Sequence, residues 1–365
     1  MKKLLKTVVP TVFLLSTHLA YADSGEFKRW SVSAGWLHVM PQGKANTFNI
    51  NTAAKEGTVS SVGSISKDGF LDSIDPDAPH RLGGTQKDKA STILNGALGS
   101  VLLDANGNVK SNYTGKATIN GLEQWNDNAG LEADDVDTLG LTLNYYVNDN
   151  VSLQLIGGIP PKVDIEGKGQ IVASVQSIVD SSTGLGKNIN GLEIKKDILV
   201  TDLEAHGKAA EVRAWTPALT AQYHFGKSGV NKLRPYLGAG IVYGHFDKIK
   251  LNGGVEQDLV NAGHMIQNVL DGQAGSALVN SGSSSADPHV KVDTDDAFGA
   301  VLTAGFTYDF NDRWFSTMSL TYMPNFNNKA TISVTDSKTG KELIHATTKV
   351  DLDPLITYVG VGYRF

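Results

Sequence analysis

The sequence predicts an all-β protein, an eight-stranded antiparallel transmembrane β-barrel with short periplasmic turns and long extracellular loops. Three observations predict it: an export signal at the N-terminus, eight charge-free windows of strand length with alternating polarity, and connections of two very different lengths.

The export signal sets the compartment. Lys2, Lys3 and Lys6 precede an apolar run over residues 8–19, and Ala20-Tyr21-Ala22 supplies the small residues of a cleavage site. Residues 1–22 therefore read as a signal peptide, and residues 23–365 as a single outer-membrane barrel domain. The run is shorter than the roughly 20 apolar residues of a spanning helix and carries Ser16, Thr17 and His18. No later stretch is apolar over about 18 residues. Composition alone does not separate a soluble exported protein from a barrel, because 41% hydrophobic and 19% charged residues are ordinary. The net charge of −6 excludes nucleic acid as a partner and grows more negative once the leader lysines are removed. With no cysteine in an exported chain, stability must come from a source other than disulfides, and a closed hydrogen-bonded barrel is one.

The eight windows free of Asp, Glu, Lys and Arg are residues 30–40, 138–148, 150–161, 214–225, 235–246, 297–308, 314–328 and 354–363. Each is long enough for a membrane strand of about 9–11 residues, and an even number suits a closed antiparallel barrel. Within them the polarity alternates as a wall with lipid on one side requires. Leu139, Leu141, Leu143 and Tyr145 oppose Thr138, Gly140, Thr142 and Asn144; Leu219, Ala221, Tyr223 and Phe225 oppose Thr220, Gln222 and His224. Leu302, Ala304, Phe306 and Tyr308 likewise oppose Thr303, Gly305 and Thr307, and Met318, Leu320 and Tyr322 oppose Thr317, Ser319 and Thr321.

The connections fall into two kinds. Asn148-Asp149-Asn150, residues 226–234 and Asn311-Asp312-Arg313 are short turns, whereas the alternate connections run over about 41–136, 168–211 and 248–296, with a shorter one near 336–342. That asymmetry places the turns in the periplasm and the loops outside. Pieces of the loops carry their own pattern: a hairpin-like Asp104-Ala105-Asn106-Gly107, and Leu259, Val260, Met265, Ile266, Val269 and Leu270 at helical spacing before Gly272. Aromatics gather at two levels. Trp30, Tyr145, Tyr223, Phe225, Tyr236, Tyr308, Phe310, Trp314 and Phe365 suit an inner girdle, and Trp36, Tyr243, Phe246 and Tyr322 an outer one. Gly360, Tyr363 and the terminal Phe365 form the kind of last strand that barrel-assembly machinery recognises.

Several stretches resemble the OmpW family. They are residues 141–157, Thr216-Pro217-Ala218-Leu219-Thr220-Ala221-Gln222-Tyr223-His224-Phe225-Gly226, Arg234-Pro235-Tyr236-Leu237-Gly238-Ala239-Gly240, and Val361-Gly362-Tyr363-Arg364-Phe365. The resemblance implies an eight-stranded barrel that passes small hydrophobic compounds across an outer membrane. The loops are longer than is usual for that family.

Eight strands enclose an interior barely wide enough for side chains, which excludes a water-filled general porin. The inward positions are Ser31, Ser33, Gly35, Gly140, Thr142, Gln222, Gly238, Gly240, Thr303, Gly305, Thr317, Ser319 and Gly360, all small or uncharged. Two readings stay open for such a lining: a narrow path for a neutral solute, or a lumen plugged by polar side chains and water. Pro160, Pro161 and Pro217 lie at similar height on the third and fourth strands and lack ladder donors. They either form a lateral gate that releases a hydrophobic solute into the outer leaflet or simply end the pairing at the rim.

The sequence holds no Gly-x-Ser-x-Gly, His-Glu-x-x-His or EF-hand loop, and the nine histidines are scattered, which argues against an enzyme. The acidic clusters Asp72, Asp75, Asp77; Glu132, Asp134, Asp135, Asp137; and Asp293, Asp295, Asp296 read as solvated loop charge; no ligand spacing marks a Ca²⁺ or Mg²⁺ site, so no cofactor is expected. The expected partners are outer-membrane lipid and lipopolysaccharide, the assembly machinery and a small hydrophobic solute. The alternative function is adhesion, with the barrel anchoring loops that bind a surface partner.

Overall fold

The computed structural model describes residues 27–125, 128–181 and 190–365, so the expected signal peptide lies outside the described residues. Eight antiparallel strands close on themselves: β1 (Trp30–Met40), β2 (Val136–Tyr146), β3 (Val151–Gly158), β4 (Ala218–His224), β5 (Leu233–Leu251), β6 (Ala297–Asp309), β7 (Trp314–Tyr322) and β8 (Leu355–Arg364). Each pairs with its sequence neighbours, and β8 pairs with β1 through Ser31↔Arg364 to Met40↔Leu355, which leaves the ring without a free edge.

The tight turns are held by side-chain chemistry. Asn148 accepts the backbone N–H groups of Asn150 and Val151 at 2.9 and 2.8 Å, and Asn311 does the same for Arg313 and Trp314 at 2.9 and 2.8 Å. The third turn uses Gly226 and Gly229 at positive φ, with Asn231 accepting Lys227 N–H. All three turns lie at one end of the barrel.

A belt of apolar side chains faces outward from the wall. Leu139, Leu141, Leu143, Leu153, Leu155, Leu219, Leu237, Ile241, Leu302, Met318, Leu320, Val359 and Val361 are exposed, a continuous band that only lipid can cover. Trp30, Tyr223, Phe225, Tyr308, Phe310, Trp314 and Phe365 are exposed at the turn end, and Trp36, Tyr243, Phe298 and Tyr322 lie at the opposite margin. Two aromatics depart from the expected girdles. Tyr236 is buried in the lumen and Phe246 points inward to an apolar cluster, because both occupy the even-numbered, inward register of β5.

Beyond the lipid belt the wall continues and splits. Strands Gly130–Ala133, Lys162–Lys168 and Lys208–Trp215 extend β2, β3 and β4 and join the upper half of β5 in one sheet. On the other side Pro288–Thr294, Asn327–Asp336, Glu342–Asp351, Asn49–Thr52 and Gln124–Trp125 form a five-stranded sheet. The expected strand over 314–328 is thus two strands. It breaks after Tyr322 because Pro324 cannot donate to the ladder and Asn325 adopts a left-handed φ of 55°.

The external connections are not independent loops. A four-stranded sheet (Glu193–Asp202, Gln170–Asp180, Lys116–Asn120, Thr58–Ser61) and the helix Gly253–Leu270 complete a cap. The helix begins where Asn252 caps Gly254 N–H, and it touches strands of both the four- and five-stranded sheets. Phe70, Val175, Ile266 and Leu343, one from each external connection, share a single hydrophobic core that is separate from the barrel. The apolar residues scattered through the four connections bury one another. Ile266 is fully buried, so Ile266→Ala should destabilise the cap by about 2–5 kcal/mol. Limited proteolysis should then cleave the cap more than about tenfold faster while the barrel strands stay protected; barrel and cap losing protection together would refute separate cores.

Candidate functional site

Alternation places Ser31, Ser33, Gly35, Gly140, Thr142, Gln222, Gly238, Gly240, Thr303, Gly305, Thr317, Ser319 and Gly360 on the inward face of the wall, opposite the exposed apolar belt. The small residues do not leave an open bore. A Cβ on Gly305 would lie 2.7 Å from the Tyr236 hydroxyl, one on Gly360 would lie 2.5 Å from that of Tyr358, and one on Gly362 would lie 2.2 Å from the Phe315 ring. The space vacated at these glycines is filled by aromatic rings reaching across from neighbouring positions.

Charged groups complete this filling toward the periplasmic end. Arg364 pairs with Asp309 at 2.8 Å and stacks over Phe315 at 4.4 Å. Arg234 is 1% exposed and donates to the backbone oxygen of Asp149. His224 contacts Ser152 at 2.8 Å and lies 5.4 and 5.1 Å from the rings of Tyr146 and Tyr236. Higher up, Gln222 donates to Gln154 at 2.7 Å, and Ser33 is bonded to Thr142 at 2.7 Å and to the Tyr358 hydroxyl at 2.8 Å. The floor is therefore a packed layer of buried polar and charged side chains in several bonded groups, and opening it would strand buried charge.

Above this floor the lining changes character. Ile156, Ala218, Val242, Ala297, Val301, Met323, Phe326, Phe246, Leu352 and Ile356 form an apolar cluster inside the top of the barrel. Phe246 and Leu131 extend the apolar surface upward: Phe246 also touches the cluster of Val163, Ile165, Ala210, Val212 and Ala214, and Leu131 joins that cluster to the cap core. Leu131 and Phe246 thus bridge three otherwise distinct apolar clusters, from the cap core to the upper barrel.

At the same height the wall is interrupted. The β3–β4 ladder ends at Ile156↔Ala218, and the wall resumes where Pro161 O accepts Ala214 N–H at 3.0 Å and Lys162 faces Arg213. Among the described residues, no backbone hydrogen bond joins residues 157–160 to residues 215–217. Pro160 and Pro161 stand on one side of this seam and Pro217 on the other, so three residues without an N–H group flank it. Gly158, Ile159, Thr216 and Pro217 are exposed, and a Cβ on Gly157 would meet nothing within 4 Å.

The chemistry on the outer surface fixes the height of the seam. Directly below it are Leu155, Leu219 and Ile241 of the lipid-facing belt. Directly above it, Arg213 clamps Asp247 through two hydrogen bonds of 2.8 and 2.9 Å and lies over Trp215, while Lys162 pairs with Glu211 at 3.0 Å. The guanidinium of Arg213 holds the Asp247 carboxyl below its ordinary range, so the pair is ionised at neutral pH. The seam lies at the change from acyl-chain contact to charged surface. The acidic side chains are bonded locally: Asp137 bonds Trp36 and His38, and Asp296 bonds Tyr243 and His245. Among the described residues, no group of three or more His, Asp or Glu is arranged to hold a metal ion.

The last strand closes the ring. Its Tyr363 accepts from Arg313 at 2.9 Å and packs on Trp314, Gly360 faces Gly35 across β1, and Phe365 N–H donates to Trp30 O at 3.0 Å.

A closed ring of eight strands with a lipid-facing apolar belt, short turns at one end and an elaborated opposite end defines an outer-membrane β-barrel protein. The OmpW family model matches residues 99–262 and 277–365, more than half of the chain, and the protein belongs to that family and to the bacterial outer membrane. It is 24% identical over 228 residues to outer membrane protein W of Vibrio cholerae serotype O1, covering 62% of this chain and 73% of that protein. Among solved structures it is similar to OprG of Pseudomonas aeruginosa (TM-score 0.45, 15% identity, 93% of this chain and 96% of that one). It is also similar to AlkL solved in lipid bilayers (TM-score 0.39, 14% identity, 96% and 97% covered).

The residues that sequence reasoning missed are Arg234, Asp309, Arg364, Tyr236 and Tyr358. Their inward parity was readable, since each lies an even number of residues from a recognised lumen position on its own strand. Arg364→Met would leave Asp309 buried without its partner and should lower barrel stability by about 3–5 kcal/mol. Urea unfolding in lipid measures this, and adding Asp309→Leu should recover most of the loss; an unchanged single variant would refute a floor held by this pair.

Proposed function

We propose that the protein admits small hydrophobic solutes from outside and releases them sideways into the outer leaflet through the seam flanked by Pro160, Pro161 and Pro217. The observation that carries this reading is the juxtaposition of two features at one height: the apolar upper lumen and the unpaired stretch of wall beside it. A solute that reaches Ile156 and Ala218 has a packed, charged floor beneath it and a wall without ladder bonds beside it. Transfer of apolar surface from the lumen into acyl chains costs little, whereas passage through the floor must break the Arg364–Asp309 pair. The packed floor also supports a carrier of neutral apolar compounds over an ion pore.

The test restores the missing donors. Replacing Pro160, Pro161 and Pro217 together with residues that carry an N–H group should supply donors on the β3 side of the seam, tie position 217 to Tyr243 of β5, and reduce uptake of an alkane or alkylbenzene several-fold. Assembly, followed by the heat-dependent mobility of the folded barrel, should be unaffected. Unchanged uptake by the assembled variant would sink lateral release.

A further inference from the structure

We propose that the apolar socket at the top of the barrel is a binding site for an aromatic ring or short alkyl group, and that Phe326 occupies it as an internal competitor which the solute displaces. The inference rests on the channel reading above and adds to it a named site and an occupant.

Phe326 does not belong to a barrel strand. It sits in the break between β7 and strand Asn327–Asp336, and its side chain is inserted into the lumen with 1% exposure. The seat is shaped for a ring: a Cβ on Gly244 would lie 2.6 Å from Phe326 Cζ, and one on Gly299 would lie 2.9 Å from Cδ2. Ala218, Val242, Ala297 and Val301 complete the apolar lining. This makes the ring exchangeable for another neutral apolar group without stranding a donor or acceptor, unlike any side chain in the floor.

The backbone that delivers the ring is anchored separately from it. Phe326 N–H donates to the Asp353 carboxylate at 3.0 Å, and Phe326 O accepts from Leu352 and Asp353 N–H, both at 3.1 Å. Its neighbour Asn325 and the anchoring Asp353 both hold positive φ, at 55° and 39°, a conformation that Asn and Asp tolerate better than other side chains and that makes the sharp turn at this break. Because the main chain of Phe326 holds the attachment, the ring can turn out about its own side-chain bonds without releasing the segment.

The socket also communicates on both sides. Ile156 and Ala218, which contact the cluster, are the last paired residues before the seam, and Phe246 links the socket to the apolar inner surface of the wall above. An incoming group that replaces the Phe326 ring is therefore one step from Gly157 and the open space beside it.

If the ring vacates its seat only a small fraction of the time, a solute's apparent affinity is reduced by that fraction, and removing the ring restores it. The full chain in lipid nanodiscs, titrated with toluene at matched lipid concentration while the methyl signals of Ala218, Val242 and Val301 are followed, reads occupancy at the socket and compares it between variants. Phe326→Ala should bind toluene about tenfold more tightly than the unaltered protein, with Phe326→Leu between them. Equal or weaker binding, or shifts that avoid these three methyls, would overturn the inference. If Phe326→Ala does not assemble, the same comparison is made with Phe326→Leu, and no tightening there overturns it equally. Tighter toluene binding alongside uptake that ignores the proline replacements would keep the socket and reject lateral release. The opposite pairing would reject the socket alone.

Discussion

The charged pair at the periplasmic end of the barrel constrains everything above it. Arg364 of β8 and Asp309 of β6 are buried and meet inside the barrel across β7, with Arg364 stacked on Phe315, Arg234 tied to the Asp149 backbone and His224 wedged between two tyrosines. An eight-stranded ring has too little interior for these groups and an open path together. Once the floor is filled, the barrel axis is closed below the apolar cluster, and the lateral exit proposed above is the route this leaves to a molecule entering from the cap.

The wall is weakest where the lining is most apolar. Strands β3 and β4 continue above the lipid belt as Lys162–Lys168 and Lys208–Trp215, so the seam is an interruption within two long strands and not the end of the pairing. The prolines stand where both strands are interrupted and then run on into the upper wall. The apolar belt below and the Arg213–Asp247 clamp above hold that interruption at the level where acyl chains begin. The cap, with its own core, keeps an apolar surface in contact with the entrance instead of leaving mobile loops over it.

Much of this was legible in the sequence because lipid imposes a strict period. Leu139, Leu141 and Leu143 face outward against Gly140, Thr142 and Asn144, as alternation required, and the Asn148 and Asn311 turns are built by the side chains that announced them. The helix foreseen before Gly272 is Gly253–Leu270. What was hidden was hidden by the same criterion that revealed the strands. Searching for charge-free windows passed over Arg234, Asp309 and Arg364, each at or just outside a window's edge and each part of the floor. Tyr236 was assigned to a girdle because an aromatic near a turn suits an interface, but parity on β5 turns it inward. The cap core escaped notice because its members are contributed by four connections that are distant in sequence, and no local period marks such contacts.

The account requires a solute to occupy the upper lumen and leave through the seam without entering the lower barrel. Photolabelling with a small diazirine-bearing hydrocarbon, applied to the assembled protein in bilayers and mapped by mass spectrometry, tests this directly. Labels should appear at Ile156, Gly157, Ala218, Val242 and Phe326. Labelling that runs down the lumen to Thr317, Gly360 and Arg364 would contradict it.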